Sequence, residues 1–551
     1  MTHRLPAPAL ALVFSLLAGC ASVPSGPIPV KVLAINDFHG NLKTPSSGVR
    51  VPDPAAPGKT MTVPAGGAEH LATAVRELRA KHPNHVFVAA GDLIGASPLL
   101  SALFRDEPTL ESLSMMGLEV SAVGNHEFDK GAEELLRQQN GGCHPTEGCK
   151  GPRPFQGAGF KYLAASTIVE ATGKTLLPAY HIKHFQGVPV AFIGLTLKGT
   201  PGIVLPSGVQ GLRFEDEAAT VNRLVPELRS QGIEAIVLLI HEGGYAAGSY
   251  NGCDGISGPI VEIVGKLDRA VDVVISGHTH RAYNCRIDGR LVTSGNFYGT
   301  MVTQIDLQLD PKTRDVIRAE ADNVVVRTDR FTKDPAQTEL IAMYEKLAVP
   351  LARRVVGRIA AALPREANAA GESALGQVIA DAQLAATRAV GAQLALMNPG
   401  GIRASLPMPA DGLLRYEDLF TVQPFYNNLV TMTLTGAELR QLLEQQWSGP
   451  GTGGRVMQVS RGFSYAWDAS RPAGQRVVAG SLRLDGQPLD EQAPVRLTVN
   501  SFMAGGGDGF GVLRQGRDRV TGMMDIDALE AFVKANPTLA PGPLDRIRRM
   551  N

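Results

Sequence analysis

Short apolar runs rich in Val, Ile and Leu recur between residues 30 and 275, and each is followed by polar residues. These runs have the length and the β-branched composition of buried strands. Amphipathic stretches that fit helices lie between some of them, so the pattern predicts an α/β layered domain. The predicted strands are 30–35, 85–90, 188–195, 235–240 and 271–275, and the predicted helices are 68–81 and 216–231.

Five polar segments of the same region carry side chains that bind metals. One Gly-Asp pair alone would be read as a turn, and one His as a surface residue. Five such segments in order, with a carboxylate that can bridge two cations, favour two divalent ions with mixed N and O ligands. Two ions about 3.5–4 Å apart can activate water for phosphoryl displacement. The segments are Asn-Asp-Phe-His (36–39), Gly-Asp (91–92), Gly-Asn-His-Glu (124–127), His-Glu-Gly-Gly (241–244) and Gly-His-Thr-His (277–280).

Two of these segments place metal-binding side chains at alternate positions. Asp37 and His39 are two residues apart, and so are His278 and His280. Alternate residues of a strand point to the same face. If the strands extend into these segments, each pair faces the metals together.

The length of 551 residues exceeds what one hydrophobic core supports, so we expect two large domains. The boundaries predicted from the pattern are a first domain over 30–328, a linker over 329–354 and a second α/β domain over 355–551. The linker contains a helical pattern over 334–354, which Pro350 interrupts, and the second domain has a helix at 374–389. Lys+Arg and Asp+Glu both number 53, so no positive field favours a nucleic-acid polymer.

The first 20 residues have the features of an export signal. A basic residue, Arg4, precedes a short apolar core at 10–17, which is too short to span a membrane. The core ends in Leu-Ala-Gly-Cys, which resembles the lipobox of bacterial lipoproteins. That resemblance implies lipidation of Cys20, a tether over 21–29 and, because Ser22, two residues after the Cys, is not Asp, an outer-membrane location. The alternative is an ordinary signal peptide with an incidental Cys.

Four further cysteines remain after Cys20. An even number in an exported chain favours two disulfides, Cys143–Cys149 and Cys253–Cys285. A zinc site is the alternative, but Cys253 and Cys285 lack the paired CxxC spacing of such sites.

The ordered segments resemble the calcineurin-like metallophosphoesterases, and within them the branch of 5′-nucleotidases and UDP-sugar hydrolases. The resemblance implies an N-terminal four-layer α/β/β/α sandwich and a C-terminal α/β substrate-binding domain. One metal would be held by Asp37, His39, Asp92 and His280, and the other by Asp92, Asn125, His241 and His278. His280 is a departure, because relatives in this branch often carry Gln or Asn there.

His126 and Asp129 are implied to be catalytic and not metal ligands. They are three residues apart, so they can meet if the segment after the strand turns helically. His126 would then stabilise the transition state or protonate the leaving group, with Asp129 fixing its tautomer.

Three Gly-, Pro- and Asn-rich segments of the second domain resemble the nucleoside-binding site of the same family. Two aromatic residues are implied to sandwich a base, where stacking contributes about 1–3 kcal/mol. Relatives also carry an Arg where this chain has Gly371, and Arg365 is the nearest alternative. The implied substrate-binding residues are Asn398, Arg403, Phe425, Phe502 and Asp508.

The resemblance therefore implies a monomeric, exported, lipid-anchored phosphohydrolase that uses two divalent ions (Zn, Mn or Co) on nucleotides. A 5′-nucleotidase, with possible UDP-sugar hydrolysis, is the first expectation. A 2′,3′-cyclic phosphodiesterase/3′-nucleotidase, a dinucleotide pyrophosphatase and a non-catalytic nucleotide-binding lipoprotein are the alternatives.

Overall fold

The structure is a computed structural model that describes residues 26–56, 58–448 and 454–551. The predicted signal peptide, the predicted lipidation site Cys20 and most of the predicted tether lie outside the described residues. Within the described ranges, no helix combines the length and apolar character that a membrane crossing requires.

The first sheet of the N-terminal domain has six strands, with Ile28–Ile35 near its centre. This strand pairs in parallel with His85–Ala89 and antiparallel with Met301–Leu309. Successive side chains point to opposite faces, so Val32 packs between the two sheets and Leu33 packs against the helices. In spatial order the strands are Val316–Val325, Met301–Leu309, Ile28–Ile35, His85–Ala89, Val120–Ala122 and Lys161–Leu163.

The second six-stranded sheet packs face to face on the first. Leu239 contributes to the core between the sheets, while its neighbour Leu238 packs against the helices Glu217–Ser230 and Pro259–Lys266. Helices on both outer faces complete four layers, so the predicted α/β/β/α sandwich is confirmed. In spatial order the strands are Ala282–Ile287, Arg290–Gly295, Val273–Ser276, Ala235–His241, Val188–Thr196 and Tyr180–Phe185.

The remaining elements of this domain are short. The predicted strands and helices agree with the structure to within two residues at each end, because their hydrophobic periodicity is strong. The other helices are Ala68–Arg79, Leu99–Ala102, Glu107–Met115 and Ala132–Asn140, and the small strands are Val49–Pro52, Thr60–Val63, Thr167–Val169, Lys174–Thr175, Leu212–Phe214, Tyr245–Ala247 and Asp254–Ser257.

A single helix, Pro335–Ala352, follows the first domain. Asp334 caps its N-terminus by accepting hydrogen bonds from the amides of Ala336 and Gln337. Pro350 does not interrupt the helix, since it lies in the last turn and the helix ends two residues later. Leu340 and Tyr344 pack this helix onto Phe104 of the first domain.

The C-terminal domain is also α/β, as predicted. Its main sheet has five strands, and the helix Ala374–Thr387 packs beside it, capped by Ser373. In spatial order the strands are Gln458–Val459, Leu394–Met397, Pro494–Asn500, Asn428–Thr435 and Arg517–Met524. A four-stranded sheet contains Gln487–Pro488, Arg483–Leu484, Phe463–Asp468 and Ile547–Met550, a strand pair joins Val355–Arg358 to Leu413–Arg415, and the other helices are Tyr416–Val422, Gly436–Glu444, Ser501–Ala504 and Asp525–Ala535.

Both predicted disulfides are present in the N-terminal domain. Cys143 is joined to Cys149, and Cys253 is joined to Cys285. The second bond links the strand Ala282–Ile287 to the segment that follows His241 in the chain.

Candidate active site

The polar segments meet at one edge of the sandwich. The strands Ile28–Ile35, His85–Ala89 and Val120–Ala122 run parallel, and so do Ala235–His241 and Val273–Ser276. Because parallel strands end on the same side, the residues after their carboxyl ends gather above the space between the two sheets.

The predicted extension of the strands through these segments is wrong. The strand before Asp37 ends at Ile35, and the strand before His278 ends at Ser276. Five of the seven predicted ligands instead have left-handed backbone, which is strained for residues with a Cβ and occurs preferentially at functional sites. Tight turns, and not the pleat, bring the alternate side chains together. The φ angles are 51° for Asp37, 46° for His39, 49° for Asp92, 69° for His278 and 54° for His280.

Asp37, His39 and His280 form the first group of potential ligands. Their ligand atoms lie within 4.8 Å of one another. The Nε2 atoms of His39 and His280 are 3.1 Å apart, and His280 Nε2 lies 3.3 Å from Asp37 Oδ1. Nitrogen and carboxylate donors converge here on one point, which is the donor set that Zn²⁺ or Mn²⁺ takes.

Asp92, His241 and His278 form the second group within the same 4.8 Å limit. Asp92 also approaches the first group, because its Oδ2 is 3.7 Å from His39 Nε2. Asn125 Oδ1 is buried beside these residues and has no hydrogen-bond partner among the described atoms. The carboxylate of Asp92 is therefore placed to bridge two ions, and the orphaned amide oxygen fits a ligand role.

Backbone carbonyls fix the tautomers of two of the histidines. His39 Nδ1 is 2.9 Å from the carbonyl of Gly95, and His241 Nδ1 is 2.8 Å from that of Ala90. A carbonyl oxygen only accepts, so each Nδ1 donates, and in the neutral imidazole each Nε2 presents a lone pair to the site.

That tautomer makes the contact between His241 and Asp92 informative. His241 Nε2 lies 3.0 Å from Asp92 Oδ2 and makes no hydrogen bond. In the neutral imidazole, two lone pairs would face each other at this distance, which a cation between them would convert into attraction. Without a cation, the charge of Asp92 outweighs burial and raises the pKa of His241 to about 10, so that a proton takes this place. The residues present thus fit a two-metal centre.

His126 and Asp129 come together through one turn of 3₁₀ helix, His126–Phe128. His126 Nδ1 lies 2.8 Å from Asp129 Oδ2. Burial lowers the pKa of His126, but the charges of Asp129 and Asp92 outweigh it and raise the pKa above its ordinary value. The geometry therefore favours a protonated imidazole at this position.

Glu127 has a positioning role that the sequence reasoning missed. Its carboxylate accepts hydrogen bonds from the amides of Asp92, Leu93 and Gly124 at 3.0, 2.8 and 2.7 Å. Burial and the charge of Asp92 raise the pKa of Glu127 to about 7. Its place between two functional residues was the signal in the sequence, but only the structure shows that it ties two ligand loops together.

A cavity of about 350 Å³ lies between the two domains and includes the candidate site. Residues of the N-terminal domain form one wall, among them Asn125, His126, Asp129 and His278. The five predicted substrate-binding residues form part of the other wall: Asn398, Arg403, Phe425, Phe502 and Asp508.

Two of these residues reach across the domain boundary. Arg403 Nη2 lies 3.0 Å from His39 Nε2, so its guanidinium enters the metal-binding region. The ring of Phe425 stacks on His126, with centroids 5.9 Å apart and planes at 20°. Both contacts require the second domain to close on the first.

The other predicted residues are held within the second domain. Asn398 Nδ2 donates to Asp508 Oδ2 at 2.7 Å, and Asn500 Nδ2 donates to Asn398 Oδ1 at 2.9 Å. Arg455 lies 3.3 Å from the same Asp508 carboxylate. Asn500 and Arg455 also line the cavity, and the sequence reasoning had assigned them no role.

The backbone and the neighbours of Gly371 explain why this position holds a glycine and not an Arg. Its φ is 93°, and a Cβ there would lie 2.6 Å from the Cβ of Val456. An Arg cannot occupy this conformation without displacing its neighbour. Arg365, the predicted alternative, donates to the carbonyls of Ile402 and Arg403, so it supports the Arg403 loop.

A four-layer sandwich with overlapping His/Asp groups at the carboxyl edge of its sheets is the architecture expected of a metallophosphoesterase. The chain matches the calcineurin-like phosphoesterase family over residues 30–282 and the 5′-nucleotidase C-terminal domain over residues 355–515. The chain therefore belongs to the 5′-nucleotidase family, with the metallophosphoesterase domain N-terminal and the 5′-nucleotidase domain C-terminal.

Two relatives are similar to the chain over most of its length. The chain is 34% identical over 524 residues to endonuclease YhcR of Bacillus subtilis, covering 93% of this chain and 40% of that protein. It is 30% identical over 531 residues to cell wall protein Lmo0130 of Listeria monocytogenes, covering 90% and 65%. The chain thus spans less than two thirds of either relative.

A solved structure is similar over almost the whole chain. The crystal structure of the 5′-nucleotidase precursor from Thermus thermophilus has a TM-score of 0.77 and 28% sequence identity. The match covers 95% of this chain and 99% of that one.

Proposed function

We propose that the protein is an exported two-metal phosphohydrolase that releases phosphate from nucleotides, with 5′-nucleotides as the first choice. The observation that carries the proposal is the shared cavity. Its walls combine the region of the metal-binding groups with Phe425 and Phe502, which offer aromatic faces to a base.

The contacts of the residues support a role for each of them. Asp37, His39, Asp92 and His280 would hold one divalent ion, and Asp92, Asn125, His241 and His278 the other. The ions, when bound, supply the activated water and neutralise charge on the phosphate. Zn, Mn or Co would suit this donor set.

The remaining steps belong to the chain's own side chains. Asp129 holds Nδ1 of His126, so the proton on Nε2 is available to the leaving-group oxygen. Arg403 reaches the metal-binding region and would pair with phosphate oxygens as charge develops there.

Export is supported by two observations. The chain has two disulfides, which form in oxidising compartments, and one relative is named a cell wall protein. We propose lipidation at Cys20 and a monomer tethered to the outer membrane. Replacing Cys20 with Ala should move the protein from the membrane fraction to the soluble fraction, and unchanged fractionation would contradict the anchor.

A phosphodiesterase is the second candidate, because one relative is named an endonuclease. The zero net charge argues against a nucleic-acid polymer as the substrate. A 2′,3′-cyclic nucleotide is a small phosphodiester, and its binding does not require a positively charged protein surface.

A phosphate-release panel tests the proposal. The metal-loaded protein is assayed with AMP, UDP-glucose, NAD and glycerol 3-phosphate, and 2′,3′-cyclic AMP is followed by product analysis. AMP or UDP-glucose should exceed glycerol 3-phosphate in kcat/KM by at least about 10-fold, as expected from stacking of the base. Equal values would contradict nucleotide selection, and a lack of turnover on every substrate would favour the non-catalytic alternative.

A further inference from the structure

Part of the cavity wall has no role in metal binding or in the predicted stacking of a base. It is lined by Ala102, Asp106, Lys130 and Gln138. Lys130 directly follows Asp129 of the proposed catalytic pair, so this part of the wall lies on the side of the proposed leaving group.

Gln138 is the first sign that this wall binds a ligand. The residue is only 1% exposed, and its Nε2 donates to the carbonyl of Arg105 at 3.0 Å. Its Oε1 has no hydrogen-bond partner among the described atoms. A buried acceptor without a partner costs about 1–3 kcal/mol, which a donor from a ligand would recover.

Asp106 and Lys130 add two further groups that can each make another hydrogen bond. Asp106 is 2% exposed, and its Oδ1 accepts a hydrogen bond from Ser101 Oγ at 2.8 Å. Its Oδ2 lies 3.6 Å from Lys130 Nζ, a separation too long for a hydrogen bond. Lys130 Nζ can therefore donate to a ligand while it still balances the charge of Asp106.

One cationic donor, Lys130, and two acceptors, Asp106 and Gln138, together indicate which class of ligand fits this wall. A second phosphate would bring negative charge to the buried carboxylate of Asp106, and an ammonium group would be repelled by Lys130. Neutral hydroxyl groups both donate and accept, so they can satisfy all three side chains.

We propose that Lys130, Asp106 and Gln138 form a hydroxyl subsite that binds a sugar ring on the leaving-group side. This inference rests on the proposed function, because it assumes a nucleotide in the cavity. The hydroxyl groups belong either to the ribose of the nucleotide or to a second sugar joined through a diphosphate.

Kinetics of Lys130→Met and Gln138→Met test the subsite, since both substitutions keep the side-chain length. If the ribose binds there, kcat/KM for AMP falls at least about 10-fold and that for 2′,3′-dideoxy-AMP falls less than about 3-fold. If a second sugar binds there, only UDP-glucose shows the large loss. Falls that are equal across these substrates and p-nitrophenyl phosphate would overturn the subsite. Lys346→Met, on the exposed side of the connecting helix, is the matched control and should change nothing.

Equilibrium binding separates this inference from the proposed function. Adenosine, 2′,3′-dideoxyadenosine and UDP-glucose are titrated into wild type and Lys130→Met by calorimetry. If the wild type hydrolyses no nucleotide but Lys130→Met weakens adenosine or UDP-glucose at least about 10-fold, the proposed enzyme fails and the subsite stands. If the wild type hydrolyses AMP but Lys130→Met binds all three probes like the wild type, the subsite fails and the enzyme stands.

Discussion

The two walls of the cavity hold their functional side chains in different ways. On the N-terminal side, backbone carbonyls and amides fix the ligands: Gly95 orients His39, Ala90 orients His241, and Glu127 binds the amide of Asp92. On the C-terminal side, the functional side chains bond to one another, as Asn398 does to Asp508. The metal-binding groups are therefore complete within one domain, whereas the substrate wall also depends on how the two domains meet.

This difference suggests a division of labour. The metal-binding domain carries the chemistry, and the second domain selects the base of the substrate. Substitutions on the two sides should then affect different quantities, and the expected effects range from loss of turnover to a change of stability alone.

Asp92→Asn should have the largest effect. The substitution keeps the volume but removes the charge that both metal-binding groups share, so we expect metal content to fall from two ions to one or fewer. Phosphate release should fall by about 10⁴-fold or more, because the ions supply the nucleophile. Metal analysis and phosphate assays on the same sample measure both. Asp329→Asn, at a carboxylate that is 64% exposed, is the control and should keep both values.

His126→Ala should have the next largest effect and a different pattern. Phosphate release should fall by about 10²- to 10⁴-fold, the usual range for loss of a general acid, while two ions remain bound. His184→Ala, at an exposed position of the second sheet, should behave as wild type. Unchanged release of phosphate from AMP would refute the catalytic pair, and loss of metal would make His126 a ligand.

Substitutions of the two aromatic residues should have smaller effects on kcat/KM, and these effects should differ between Phe502 and Phe425. Phe502→Ala should lower kcat/KM by about 10- to 100-fold for AMP but not for glycerol 3-phosphate, since only AMP has an aromatic ring to stack. Phe425→Ala should lower both, because Phe425 also stacks on His126. If Phe502→Ala lowers both substrates equally, the second domain does not select the base.

A substitution in the ion pair between Arg354, which follows the connecting helix, and Glu530 of the second domain should affect stability alone. Arg354 pairs with both carboxylate oxygens of Glu530, and that hydrogen-bonded pair lowers the pKa of Glu530 to about 2. The stabilisation is fully present above the unfolded pKa of about 4.3 and is lost as the pH falls towards 2.

Arg354→Met should therefore lower the free energy of unfolding by about 1 kcal/mol at pH 7, since the pair is partly exposed. The difference from wild type should shrink between pH 5 and pH 3. Urea unfolding at several pH values measures it. A difference that does not vary with pH would mean that the substitution acts through packing of Arg354 on Tyr416.

The sequence grouped Asp37 with His39 and His280, and Asp92 with His241 and His278, and the structure brings each of these groups together. Their role as metal ligands stays a prediction. The prediction that Asp37 and His39 converge through a strand was wrong, because left-handed turns leave no periodic pattern of apolar residues in the sequence. Contacts between distant segments of the chain could not be predicted from the sequence either. The approach of Arg403 to His39, the stacking of Phe425 on His126 and the orphaned oxygen of Gln138 depend on tertiary packing that no local pattern encodes.

The most direct test of the division of labour is the Kd of adenosine for Asp92→Asn. Adenosine has no phosphate, so it engages the substrate wall without the metal centre. We predict that Asp92→Asn loses phosphate release from AMP while its Kd for adenosine stays within about 3-fold of wild type, a difference below 1 kcal/mol. A loss of adenosine binding as large as the loss of activity would show that the two walls do not act separately.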